Sequence, residues 1–417
     1  MSGNVVLLTI PIFFALVAFE FWYQRRKGLS VGSFRTAASN ILCGLLERLF
    51  LIFTFGFLFW SYDSLSTWVM PQLPWRLDAS SPWTYLLALV VSDFCYYWLH
   101  RVHHSVGVLW AAHVVHHQPQ EMNFTVGLRT APIQTLLFSA PFYVPAILVG
   151  IPALPFFVAN GLMNSLQLLV HTELNWNPKG RLGFLGFIFN TPSHHCVHHG
   201  SQDQYLDKNF GAVFIIWDRL FGTFVPQGEK VVYGARRPLP TLNPVRALFD
   251  EYRYLLNAGR VLKSPVKVWL WSPARTASLM IGFEAELNDG ISNQSGEREK
   301  LARPNVRETL LSLTVTFSTF FVLLYYEPKP AGPLLFLWAS QIVLGIFAAG
   351  EWLDCSFRAR TFERLRSALF LATGLSLYYF SPGANGWPVL LILFAASICA
   401  YISLRRRTED FKTLSPA

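Results

Sequence analysis

Histidine is missing from most of this chain: all 11 lie between His100 and His199, and the rest of the 417 residues contain none. Charge is scarce as well. Only 14% of residues are Asp, Glu, Lys or Arg, against 52% apolar with 36 Phe and 14 Trp, which excludes an ordinary soluble domain. Cysteine is sparse and dispersed at Cys43, Cys95, Cys196, Cys355 and Cys399, so neither a disulfide framework nor a CxxC metal site is available. No GxGxxG loop marks a dinucleotide site, and nothing resembles a fused haem-binding domain, so any redox chemistry needs an external electron donor. The formal charge of +9 does not imply nucleic acid, because the basic residues flank apolar runs, where they set topology and meet anionic headgroups.

What is present is a series of apolar runs approaching the roughly 20 residues that cross a bilayer. They predict an all-α fold, a polytopic membrane helical bundle. Residues 4–23 form a first span, closed by Arg25, Arg26 and Lys27 and lacking a small-residue cleavage site, so it reads as a retained anchor. A second span runs from about Ala37 to Trp60, and a third ends at His100. The tract 130–171 is interrupted by Pro141, Pro145, Pro152 and Pro155, which suits a helical hairpin or two kinked helices. A mainly polar stretch follows to about Asn305, with an amphipathic helix predicted over "PVRALFDEYRYLLNAGRVLK" that suits a membrane surface. Four more apolar runs lie near 308–325, 333–350, 366–380 and 387–404. The organisation is thus N-terminal spans over 1–82, a catalytic domain over 83–240, an interfacial segment over 241–305 and C-terminal spans over 306–405.

The positive-inside rule puts Arg25 to Lys27, the cluster Arg358, Arg360, Arg364 and Arg366, and Arg405 to Arg407 in the cytoplasm. With three N-terminal spans, the chain after His100 lies on that side too, in a bacterial inner membrane or the endoplasmic reticulum.

The histidines fall into the groups "HRVHH" (100–104), "HVVHH" (113–117) and "HCVHH" (195–199), with His171 between the last two. Residues three and four apart share a helix face. His100 with His104, His113 with His116 and His117, and His195 with His198 and His199 are therefore each expected to aim at one point. Imidazole suits Zn, Fe, Cu and Ni. A structural zinc takes four ligands and a catalytic zinc three plus water, so nine histidines overfill one site. They fit two metals with five or six ligands and an open position each, as iron needs in order to bind dioxygen. The Glu-x-x-His motif of soluble di-iron bundles is absent, which implies an all-histidine site.

These groups resemble the three histidine boxes, HxxxH, HxxHH and HxxHH, of the fatty acid hydroxylase and sterol desaturase superfamily. The stretches "SDFCYYWLHRVHH", "HTELNWNPKGRLGFLGFIFNTPSHHCVHHG" and "LDKNFGAVFIIWDRLFGTFVP" are most similar to its alkylglycerol monooxygenase branch, with good similarity over about residues 85–235. The resemblance implies a membrane di-iron monooxygenase that uses dioxygen and a reduced pterin, tetrahydrobiopterin, to hydroxylate the carbon beside the ether oxygen of a glycerol ether lipid. The hemiacetal would then collapse to a fatty aldehyde and a glycerol derivative. By position, the iron ligands it implies are His100, His104, His113, His116, His117, His171, His195, His198 and His199.

Beyond the ligands, Asp93, seven residues before His100 on the same helical face, is a better candidate than most for orienting one of them, whereas His103 and His194 fall outside the boxes and suit a place behind the ligands or on the surface. Asn175 stands where some superfamily members have a further histidine; it would hold a metal-bound water or cap the next turn. Asn209 and Asp218 resemble family positions, and equally suit a turn and a helix cap. Ser105 stands where animal members of the branch carry a carboxylate, which puts the pterin in question more than the iron.

Box spacing leaves a sterol, fatty acyl or aminolipid hydroxylase or desaturase open. From another class, a metal transporter also gathers imidazoles in a membrane protein, but it holds them near mid-membrane, and these lie mostly just beyond the spans.

Overall fold

A computed structural model describes residues 3–28, 32–174, 183–281, 306–325, 332–380 and 387–404. Its regular structure is almost wholly helical; among the described residues there is no strand, only the isolated bridges Phe189–Phe214 and Gly200–Tyr233. The chain divides into two compact units, Met1–Pro240 with Arg246–Ser295, and Thr241–Val245 with Gly296–Ala417. Among the described residues four helices are long and apolar enough to cross a bilayer, Phe34–Gln72, Ala153–Val170, Val306–Leu324 and Leu335–Leu353, and the chain is a multi-pass membrane protein.

In the first unit, α1 (Gly3–Arg26) is followed by α2 (Phe34–Val69), which Ser33 caps by accepting from the Thr36 amide. The second span was expected to end near Trp60. Instead α2 runs for 36 residues, about 54 Å at 1.5 Å per residue, because no proline interrupts it before Pro71. Gly44 lets it approach the turn at 124–128: a Cβ there would stand 2.9 Å from the Leu128 Cβ.

The next helices are α3 (Pro82–Ser105) and α4 (Gly107–His117). The proline-rich tract then departs from two helices. Its first half breaks into a π turn at Gln134–Phe138, a 3-10 turn at Ala140–Tyr143 and the short α5 (Val144–Leu148), and only α6 (Ala153–Val170) is a full helix. Pro141 and Pro145 remove backbone donors, and Gly150 turns the chain at φ +85°. An apolar core of Tyr62, Ala88, Ile147, Ile151, Phe156 and Ala159 joins α2, α3, α5 and α6, with Tyr62 stacked on Phe156 at 4.1 Å.

Short helices α7 (Gly183–Ile188), α8 (Pro192–His198) and α9 (Ile216–Leu220) follow, then α10 (Pro244–Val261) and α11 (Pro265–Leu270). The amphipathic pattern of α10 resolves into a buried face: Leu255 and Ala258 pack on Val268 of α11 and Ala111 of α4.

The second unit holds the helices Val306–Tyr325, Pro333–Leu353, Ala359–Phe380 and Trp387–Leu404. Arg366, counted above among the cytoplasmic basic residues, is fully buried there and lies 3.8 Å from Glu363, so it marks no membrane face. Arg405 to Arg407 lie outside the described residues.

Candidate metal centre

Four helix ends build the site. The last turns of α3 present His100 and His104; the chain then breaks at the extended Val106, and α4 starts again to present His113, His116 and His117. The break is held from outside, since the Gly107 amide donates to the Trp271 carbonyl at 2.9 Å and a Cβ on Gly107 would stand 2.8 Å from the Val268 carbonyl. His171 ends α6, leaving helical geometry at ψ 66°. Thr191 caps α8 by accepting from the His194 amide, Pro192 occupies its first turn, and His195, His198 and His199 follow on its final turn.

These positions converge on two points. His100, His104, His113, His117 and His198 form one group and His116, His171, His195 and His199 another; within each, one ligand atom per residue lies within 4.8 Å of all the others. All nine rings are between 1% and 8% exposed. Each box was expected to aim at a single point, and that holds only for the pairs four apart. His113 and His117 stay together, as do His195 and His199, while His116 and His198 cross to the opposite group. On a helix of 3.6 residues per turn the i+3 side chain points about 100° away from the i+4 one, so adjacent histidines face different centres.

Hydrogen bonding fixes the direction of the lone pairs. His116 Nδ1 stands 3.2 Å from the Arg129 carbonyl and His171 Nδ1 stands 2.6 Å from the Gln167 carbonyl. A carbonyl only accepts, so both Nδ1 atoms carry the proton and both Nε2 atoms carry a bare lone pair. Yet these Nε2 atoms lie 3.1 Å apart. Two lone pairs at that distance are not a hydrogen bond; they repel unless a cation sits between them. In the other group His100 Nδ1 donates to the Phe210 carbonyl at 2.8 Å and His113 Nδ1 to Gln134 Oε1 at 3.0 Å, with the two Nε2 atoms 3.0 Å apart. Adjacent ligands on a six-coordinate ion with metal–nitrogen bonds of about 2.1 Å are spaced by about 3.0 Å. The donor set therefore fits a metal in each group.

Burial is the largest cause that holds these imidazoles neutral. It pushes His171 and His198 down to about 4, and takes His113, His116, His117, His195 and His199 well below the usual 6.5, with neighbouring histidines adding to the effect in these five. Neutral imidazole is the form that binds metal.

Three of the six acceptors lie on the loop 207–211. The Lys208 carbonyl takes His198 Nδ1 at 2.8 Å, the Phe210 carbonyl takes His100, and Asp207 Oδ1 lies 3.3 Å from His104 Nδ1. Asp207 and Asn209 both adopt positive φ, 56°, which residues of this type tolerate. Asn209 clasps the loop by donating to the His194 and Val225 carbonyls, and Asp218 accepts from the Phe210 and Gly211 amides at 2.8 Å. Asp93 meets no histidine; it accepts from the Val213 and Phe214 amides and from Trp217 Nε1, bracing the segment after Phe210. His103 and His194 join neither group, and Asn175 lies outside the described residues. Sequence reasoning missed Asp207, Gln134 and Arg129. The run "DKNFG", with two residues tolerant of positive φ, was the available signal for the first; the lone Gln134 side chain and the Arg129 carbonyl leave none.

Residues 85–223 match the fatty acid hydroxylase family. The human alkylglycerol monooxygenase is 31% identical over 383 residues, 87% of this chain and 80% of that protein. The Danio rerio alkylglycerol monooxygenase is 42% identical over 354 residues, 82% and 76% of the two chains. An ornithine lipid hydroxylase of Rhizobium tropici is 34% identical over 140 residues, 33% of this chain and 41% of that protein. No solved structure matches.

Proposed function

Because this chain belongs to the fatty acid hydroxylase family, within its alkylglycerol monooxygenase branch, we propose that it is a di-iron monooxygenase that cleaves glycerol ether lipids. The supporting observation is the pair of buried histidine groups whose Nε2 lone pairs face one another. The ligands assigned to one iron are His100, His104, His113, His117 and His198, and to the other His116, His171, His195 and His199.

Bound iron supplies the dioxygen activation that an unactivated C–H bond requires and that side chains lack. The protein keeps nine imidazoles neutral, fixes the tautomer of those whose Nδ1 donates, and excludes water from the pair. The carbon beside the ether oxygen gains a hydroxyl from one oxygen atom of dioxygen, and the other leaves as water with two electrons and two protons from an external reductant. The resulting hemiacetal breaks its C–O bond to release a fatty aldehyde and a glycerol derivative. Tetrahydrobiopterin is the first reductant to test, and a separate electron-transfer protein the second. Arg25 and Arg26 in the last turn of α1, with Lys27 next to them, support a cytoplasmic active site, in a bacterial inner membrane or the endoplasmic reticulum.

The test is metal content and turnover of the full-length protein in lipid nanodiscs. About two irons per chain, with oxygen-dependent aldehyde from a 1-O-alkylglycerol, is the expected result. One tight zinc and no oxygen-dependent product would overturn the assignment. The ornithine lipid hydroxylase match favours a second substrate class, an aminolipid; turnover of an ornithine lipid alone would move the assignment there.

A further inference from the structure

We propose that His103 forms a hydroxyl-accepting subsite beside the five-histidine group, which recognises a free hydroxyl on the lipid headgroup. This rests on the lipid-oxidising role above and adds to it which headgroups bind. His103 is fully buried on α3, one residue from His104, and belongs to neither histidine group. Its Nδ1 stands 2.7 Å from the Leu99 carbonyl one turn back, so Nδ1 must donate. That leaves Nε2 as an acceptor, and among the described residues it has no hydrogen-bond partner. A buried acceptor without a donor costs free energy that native structures seldom leave unrecovered.

The surroundings say what the donor is attached to. The His103 ring lies 6.0 Å from the ring of His113, a member of the five-histidine group, and 6.5 and 6.1 Å from the rings of Phe138 and Phe142. Both phenylalanines belong to the broken segment 134–143, and Gln134 on the same segment accepts from His113 Nδ1. Side chains of one short segment therefore border the metal group and the lone acceptor together, with aromatic rings beside the acceptor. A ligand with a long apolar chain and a hydroxyl a few bonds from the reacting carbon fits that arrangement, and a glycerol ether with a free hydroxyl has that form. An ether whose hydroxyls are capped offers Nε2 no proton.

The experiment compares a 1-O-alkylglycerol with its 2,3-di-O-methyl analogue, using full-length wild type, His103→Phe and His103→Gln. Binding to metal-free protein, metal content, KM and kcat are read for each. The wild type is expected to bind the diol more tightly. His103→Phe should weaken the diol by roughly three- to tenfold, about one hydrogen bond, and abolish the preference. The change should appear in KM with kcat and metal content held, and His103→Gln, which keeps an acceptor, should recover part of it. A His103→Phe protein that still prefers the diol overturns the proposal, as does loss of metal in both variants, which would make His103 part of the metal site. The binding arm decides the matter even if the wild type oxidises neither lipid, an outcome that would sink the ether-cleaving assignment alone.

Discussion

The two units put buried polar groups to different ends. In the C-terminal unit donor is set against acceptor: the Thr316 and Thr319 hydroxyls donate to carbonyls four residues back, and Asn243 Nδ2 donates to Glu351 across 108 residues. In the histidine region acceptor is set against acceptor, as when the Nε2 atoms of His116 and His171 meet across 55 residues and those of His100 and His113 across 13. A donor–acceptor pair is satisfied within the protein. Two facing lone pairs are not, and the point where they face becomes a place for chemistry.

The sharpest way to break this contrast is to remove one metal ligand. His116→Ala and His198→Ala should each lower aldehyde formation by more than about a hundredfold and take metal content down by at least one ion, with the protein still inserted; turnover retained in both would end the di-iron assignment. Asp93→Ala should come next. It strips the acceptor from two buried amides and the Trp217 indole, so a loss of about 3 kcal/mol is expected, read as a lower Tm together with metal affinity weakened by roughly ten- to a hundredfold through the Phe210 carbonyl.

Acid should act on the histidine region before the C-terminal bundle. His171 and His198 have folded values near 4, against 6.5 for the free side chain, so between those limits the unfolded chain binds more protons than the folded one. Their contribution is complete above about pH 6.5 and is lost as pH falls through about 4. Unfolding of metal-free protein followed across that window should show falling stability, and a flat profile would contradict the burial of neutral rings. The smallest effect belongs to the other unit. Replacing Glu363 and Arg366 together by leucine exchanges a buried ion pair for apolar packing, which is commonly neutral or stabilising. Metal content and activity should stay unchanged, and Tm should hold or rise.

Much of the site was legible because histidine is confined to one stretch: the nine residues assigned as ligands are the nine that the structure gathers. What spacing concealed was their partition. Sharing a helix face suggested one point per box, whereas the i+3 members His116 and His198 face the opposite group. Asp93 was assigned to the ligands by its face on α3, and it serves the loop that carries their carbonyls, because a helix face records direction and not which distant segment comes to meet it. Hydropathy located the helices and overlooked their true extent: α2 continues well past the apolar run, and the tract at 134–148 fragments where proline removes donors.

The crossing of His116 and His198 bears on how the centre fills. His113, His116 and His117 share one turn of α4, and His195, His198 and His199 share the end of α8, so an ion entering either group orders rings that belong to the other. The first ion meets the entropy of ordering both helix ends and the second finds them already set, which is positive cooperativity without any change of fold. Metal titration of the empty protein should therefore pass from none to two with little half-filled species, and a clear plateau at one ion would mean that the two centres load independently.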